Sequence, residues 1–227
     1  MTYIRPSSTQ ITAWATSLGN DGWTWDNLWP YFLKSESFTT PTKAQLTSGG
    51  ASYIDAYHGR RGPVNVAYQY ALQNGSFAAI VNATWQKALG IPFNPDVNGG
   101  ELRGFFVWPQ TMDRDANVRD DAARAYYLPI RERGNLVMLR GRVGRIIWAD
   151  AGAGVGADRG SSSKRTGGNV IAEGVQYTEP DGSVTTLYAD KEVILSAGSV
   201  RSPAILELSG VGNPECVPFC ILSLSLK

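Results

Sequence analysis

The chain has one histidine, His58, so it has one imidazole that could act as a general base near neutral pH. It stands in YHGRRGPVNV, a glycine-rich loop setting that suits a structural hydrogen bond. Base catalysis would also need a proton to be taken within hydrogen-bond reach. Cys216 and Cys220 could be half a metal site, but no second pair accompanies them, and the tail reads as an extension without chemistry. More specific is EVILSAGSVRSPAILELSGVGNP, Glu192 to Pro214. The apolar run Val193, Ile194, Leu195 leads directly into Ala197, Gly198 and Ser199, where the backbone turns with almost no side-chain bulk. A small-residue turn of this kind is a place where a flat or anionic ligand can approach the main chain.

Elements must position that turn. Val193–Leu195 has the continuous apolar pattern of a strand covered on both faces. Ser202 can cap a helix with Pro203 at its first position, apolar on the side of Ile205, Leu206 and Leu208. Gly210 suits a left-handed stop to that helix. The unit is strand, turn, helix, and in an open α/β sheet the crevice beyond such a strand holds a cofactor.

Upstream, Ser7 or Ser8 can cap a helix carrying Ile11, Trp14, Ala15 and Leu18, stopped by Gly19. A second helix begins near Thr24 with Leu28, Trp29, Phe32 and Leu33 as its apolar members, and Pro30 should kink or delay it. Trp14, Trp23, Trp25 and Trp29 could form a carbohydrate platform, although helical spacing points them at a core. Residues 39–76 read as loop-rich. Asn74 can cap a helix with Phe77, Val81, Trp85 and Ala88 on one stripe, ended by Gly90. Phe105, Phe106 and Trp108 lie in a loop-like aromatic stretch, followed by a helix from about Asp120 to Leu128. From Asn135 the texture becomes β-rich: LVMLR, VGRIIWA, NVIAEGVQYT and SVTTLYA, with Pro180-Asp181-Gly182 as a hairpin turn between the last two. Ala151 to Gly168 is a Gly/Ser-rich loop insertion.

Composition bounds the function. Twenty-one basic and twenty acidic residues in 227 leave a net charge of +1, which gives no electrostatic case for nucleic acid or an anionic membrane. Arg131, Arg133, Arg140, Arg142 and Arg145 form a basic concentration, but aromatics are not interleaved with them as stacking platforms, and solvated strand edges explain them. No apolar run reaches membrane-spanning length, and MTYIRPSSTQ lacks a signal-peptide core. The acceptor patterns at Asn74 and Asn82 hint at a secreted, glycosylated parent, and the compartment stays open.

Gly198-Ser199, Ser202-Pro203, Ile205-Leu206 and Ser209-Gly210-Val211-Gly212, at these spacings, resemble the second signature of the glucose–methanol–choline (GMC) family of flavin oxidoreductases. AWATSLGNDGWTWDNLWPYF resembles its glucose oxidase and aryl-alcohol oxidase branch, and MTYIRP resembles the end of its first signature. The resemblance covers residues 1–214, with 215–227 as an unrelated tail. It implies an α/β fold with α+β insertions: part of an FAD-binding domain with some of the substrate-side region, where Phe105 to Trp108 would approach the flavin. It implies FAD as cofactor, with Met1 and Thr2 at the flavin loop, Val143 holding adenine through its backbone, and Ala197, Gly198 and Ser199 beside the cofactor. Gly198 should then tolerate no bulk. None of these is a catalytic acid or base. The family's catalytic His and its partner lie on a carboxyl-terminal segment that has no counterpart here.

The implied activity is oxidation of an alcohol or sugar by hydride transfer to FAD. No G-x-G-x-x-G occurs in the sequence, and the run Gly152 to Gly156 is only an imitation without strand-to-helix context. The expectation is therefore an incomplete piece that is inactive by itself. The rivals are a non-catalytic fragment and a secreted carbohydrate-binding module using the Trp-rich start.

Overall fold

A computed structural model describes residues 2–73, 77–149 and 171–212 of the chain. Asn74 with its acceptor pattern, the run from Ala151 to Gly168, and both cysteines lie outside these residues. The architecture is mixed α/β, in two compact units, Met1–Leu136 and Val137–Lys227.

In the first unit, helix α1 (Ser8–Leu18) starts where local chemistry asks it to. Ser7 Oγ accepts from the Gln10 N–H at 3.1 Å, and the Gln10 side chain accepts from the Ser7 N–H at 3.3 Å, a reciprocal capping box. Gly19, with φ 62°, ends it. Ile11 and Ala15 are buried, but Trp14 is 52% and Leu18 77% exposed, so the apolar stripe is narrower than its spacing suggests. Helix α2 (Trp25–Ser35) is capped by Thr24 and runs through Pro30 without interruption.

Strand β1 (Glu36–Phe38) follows α2 directly. It pairs parallel with β2 (Val64–Ala67), which pairs antiparallel with β3 (Gln110–Asp113), which pairs with β4 (Val118–Arg119). The loop-rich reading of residues 39–76 misses β2 and the short helix α3 (Lys43–Thr47). Phe38, Ala51, Val66 and Tyr68 form the core against this sheet, with Tyr3, Tyr53, Val64, Leu72 and Val107 packed on it.

Helix α4 (Phe77–Leu89) forms as expected and ends at Gly90, φ 63°. Its stripe is a correction: Phe77 is 80% exposed and Trp85 41%. Ala79, Ala83 and Gln86 instead line a cleft of about 400 Å³ together with Ala51, Phe93 and Phe105. No residue of the helix is buried, and Trp85 meets the rest of the unit at the Phe105 ring, 6.0 Å away. Where a helix from Asp120 to Leu128 was expected, the chain makes a wide π turn (Ala123–Tyr127) and then a 3₁₀ turn (Leu128–Ile130) containing Pro129.

In the second unit, β5 (Arg142–Trp148), β6 (Ala172–Thr178) and β7 (Val184–Tyr188) form an antiparallel sheet in that order. The hairpin turn at Pro180 to Gly182 is present, with Gly182 at φ 90° and its N–H bonded to Glu179 O at 3.0 Å. All five arginines of the basic concentration are exposed; Arg142 and Arg145 lie on β5, an edge strand of this sheet.

Helix α5 (Gly198–Leu208) packs on β5. Ser209 Oγ accepts from the Ile146 N–H at 2.8 Å, and the Trp148 indole N–H donates to Ser209 O at 2.7 Å. The helix ends in a Schellman motif, with Val211 N–H on Leu206 O and Gly210 N–H on Glu207 O, both at 2.9 Å, and Gly210 at φ 82°.

Three β and helix expectations fail here. Val193 to Leu195 makes no strand, and Ile194 is 77% exposed. LVMLR is likewise unpaired, with Val137 75% exposed. A strand exists through its ladder, and among the described residues no neighbour lies beside either run. The helix begins at Gly198, so Pro203 sits inside it and removes one backbone bond, while Ser202 Oγ accepts from the Ala197 N–H at 3.0 Å and braces the turn.

Candidate functional site

The expected cofactor residues fall in both units. Met1 is outside the described residues. Thr2 is exposed and bridges to Gln110, and the next residue, Tyr3, donates its N–H to Pro109 O at 2.9 Å. This fastens the amino-terminal segment to the β3 end of the sheet. Val143 lies on β5 opposite Tyr177, beside a register shift that precedes Arg145. Its side chain is partly exposed, and its place on a strand leaves its backbone as the group that could meet adenine.

Ala197, Gly198 and Ser199 are all exposed and open α5. Gly198 has φ 86°, a conformation that β-branched side chains scarcely adopt. A Cβ at Gly198 would meet nothing within 4 Å, so the space beside this turn is open. No side chain caps the helix at Ala197, which leaves the first-turn N–H groups directed outward. An exposed turn of small residues at an uncapped helix start fits a flat, anionic group such as a dinucleotide flavin. Ala197, Gly198 and Ser199 would meet it through backbone, as would Val143. The glycine fingerprint that seats a pyrophosphate has no counterpart in the sequence.

His58 is elsewhere in the first unit and is 7% exposed. Its Nδ1 lies 2.8 Å from Glu36 Oε1, and its Nε2 2.9 Å from Asp96 Oδ2. The structural hydrogen bond that its loop setting suggested is thus present on both sides of the ring. The ring stacks on Phe38 with centroids 3.8 Å apart. Glu36 also accepts from Arg5 Nη2 at 2.6 Å and from the Gly59 N–H at 3.0 Å. Asp96 accepts from the N–H groups of Ile54 at 2.8 Å and Asn98 at 3.0 Å. Arg5 donates to Tyr57 O at 2.6 Å and Asn98 O at 3.1 Å, and its guanidinium lies 5.1 Å from the Trp29 ring.

Gly59 and Gly62 let the loop close on this cluster. A Cβ on Gly59 would lie 1.8 Å from Leu33 O, and one on Gly62 2.2 Å from the Ser35 carbonyl carbon. Phe38 N–H on Gly59 O and Gly62 N–H on Glu36 O, each 2.8 Å, fix the loop against β1.

Burial alone would push the imidazole down, but hydrogen bonds to Asp96 and Glu36 and their charges outweigh it and raise His58 above its ordinary 6.5. Burial likewise works to raise Asp96, yet its bonds from His58 and the Ile54 N–H hold it below 3.8. An ionised carboxylate only accepts, so a ring between two of them donates from both nitrogens. With His58 carrying both ring protons, such a cluster holds two cations against two carboxylates and is neutral as a whole. Sequence reasoning singled out His58 but missed Arg5, Glu36 and Asp96, whose contacts span 22 to 93 positions.

The Trp-rich start does not make a platform. Trp14 and Trp23 are about half exposed, but their rings, 6.2 Å apart, are tilted by 54°. Trp25 and Trp29, 5.3 Å apart, are tilted by 42°. Among the described residues no helix is long and apolar enough to cross a membrane, and no cluster of His, Cys, Asp and Glu could hold a metal.

Comparison with known proteins bears directly on this arrangement. The chain is 47% identical over 202 residues to the glucose oxidase-like protein fsoC of Humicola fuscoatra, covering 89% of this chain and 32% of that protein. It is 33% identical over 215 residues to a glucose oxidase of Aspergillus carbonarius, covering 93% of this chain and 32% of the relative. The chain thus spans about a third of the length of these relatives. An FAD-dependent oxidoreductase from Chaetomium thermophilum, solved with a bound fragment, superposes with a TM-score of 0.74 at 31% identity, over 96% of this chain and 34% of that one. Residues 1–218 match the family described as GMC oxidoreductase, a few residues further than the signatures alone reach. The chain belongs to the GMC oxidoreductase family, whose cofactor is FAD, and it carries part of that family's flavin-binding region.

Proposed function

We propose that this chain is part of an oxidoreductase that oxidises the CH–OH group of a sugar or aryl alcohol, and that by itself it holds FAD weakly and turns nothing over. The observation that carries the reading is the family match over residues 1–218. When bound, FAD supplies the chemistry by accepting the hydride. The chain contributes position: an open turn at Ala197 to Ser199, the β5 backbone at Val143, and the segment holding Thr2 beside β3. His58 does not receive the alcohol's proton, because both ring nitrogens are committed to carboxylates within 2.9 Å and the ring is buried.

A chimera tests this reading. Residues 1–212 replace the corresponding third of the Humicola fuscoatra relative, and electron transfer from glucose and benzyl alcohol to a dye is followed. A flavin-loaded chimera that reduces the dye with either donor is expected. A folded, flavin-loaded chimera inert to sugars and aryl alcohols alike would remove the alcohol reading. Turnover by the chain alone, supplied with FAD and lost in His58→Ala, would reverse both the inactivity and the role assigned to His58.

A further inference from the structure

The buried cluster around His58 takes no part in the flavin chemistry. We propose that Arg5, Glu36, His58 and Asp96 form a pH-gated latch, closed while His58 bears both ring protons, that ties the amino-terminal segment to β1 and to the turn at Val97–Gly99. The geometry is that of a relay of charges rather than a set of isolated pairs. Arg5 bonds Glu36, Glu36 bonds His58, and His58 bonds Asp96, at 2.6, 2.8 and 2.9 Å. Each joins a different stretch of chain: the segment before α1, strand β1, the glycine loop, and the turn after Pro95. All four side chains are at most 3% exposed, so water cannot substitute for a lost partner.

Removing one proton from His58 unbalances the whole set. One ring nitrogen becomes an acceptor facing a carboxylate oxygen, and two buried anions then face a single guanidinium. The other titratable groups around the ring do not relieve this. The Tyr53 ring lies 6.4 Å from the imidazole. Tyr68, whose hydroxyl donates to Ser52 O, is pushed up by burial and then by the Asp96 charge, so it stays neutral. Tyr3 is raised by burial and then by Glu36. Arg60 lies over Phe38, 5.1 Å from its centroid, and pairs with Asp55 rather than with the cluster.

The sign follows from the raised value of His58. Its contribution to stability is complete below about pH 6.5, the value of the unfolded chain, and is lost as pH rises through the higher folded value. Asp96 bounds the other side: its contribution is present above 3.8 and is lost as pH falls through its depressed value. The latch is closed between these limits.

Because His58 is the chain's only histidine, its ring signals in the full chain need no assignment. With ¹⁵N-labelled histidine, both ring nitrogens should be protonated at pH 6, below the ordinary value. The ring should titrate above 6.5, and Trp fluorescence should report loosening of the first unit over the same alkaline window. Glu36→Gln should lower the His58 midpoint, and His58→Gln should abolish the alkaline fluorescence step. An ordinary midpoint near 6.5, a single-proton ring at pH 6, or an alkaline step that persists in His58→Gln would overturn the latch. Should His58→Gln fail to fold, the wild-type titration and the Glu36→Gln shift still decide.

Discussion

Arg5 reaches Glu36, Tyr57 O and Asn98 O from one guanidinium, and the stack of Trp29 and Phe32 beside it keeps water away. At this scale the sequence is mute about partnership. His58 could be picked out because it is unique, and Gly59 and Gly62 mark a tight loop around it. Nothing in residue type, however, joins Arg5 to Glu36 or Asp96 to His58, since only the fold closes those distances. The same holds for Gly198, whose role was readable as "small" but whose left-handed φ of 86° was not. Neutralising Glu36 should expose the imbalance directly. Glu36→Gln leaves Arg5 and the imidazolium with one buried anion between them. Breaking a buried pair in this way typically costs about 3–5 kcal/mol. Urea unfolding at pH 6, followed through the Trp-rich first unit, should show a loss of that order. A loss below about 1 kcal/mol would mean that the cluster is solvated in solution.

Helix ends were the most legible elements, because capping is local. Ser7, Thr24, Gly19, Gly90 and the Gly210 stop sit where sequence places them, whereas Ser202 does not cap α5, which starts earlier at Gly198. Strands were less so. Val193–Leu195 and LVMLR carry the right apolar pattern, but a pattern supplies a face and not a neighbour. The apolar stripe of α4 overstated its burial for a related reason: no residue of the helix is buried, although Trp85 meets Phe105 at 6.0 Å. The joint between α5 and β5 rests on Ser209, which the sequence marks as part of the family signature but not as a link to β5. Its hydroxyl accepts from the Ile146 N–H and donates to Ile205 O at 2.5 Å. Ser209→Ala would leave a buried backbone N–H unpaired, at a cost of about 1–3 kcal/mol. Faster hydrogen exchange at Ile146, with β7 unaffected, is the expected result. Unchanged exchange at Ile146 would show that the joint does not depend on this bond.

Over the whole molecule, the fold class and the family were both legible, for different reasons. The α/β class followed from the strand–turn–helix reading of Glu192 to Pro214 and from the family, which shows in short, exact letter combinations around Gly198 and in the Trp-rich start. The match over residues 1–218 and the TM-score of 0.74 to an FAD-dependent oxidoreductase bear these out. The division into two units showed only as the change to β-rich texture at Asn135, since no linker composition separates Leu136 from Val137. On the proposed reading the chain offers a flavin an open turn, a strand backbone and an exposed Thr2, without a glycine fingerprint to offset the pyrophosphate charge. The measurement that bears most directly on this is flavin content after gel filtration in excess FAD, read from absorbance near 450 nm against protein. A colourless protein with far less than one FAD per chain is predicted, and a yellow protein retaining one FAD per chain would contradict the account.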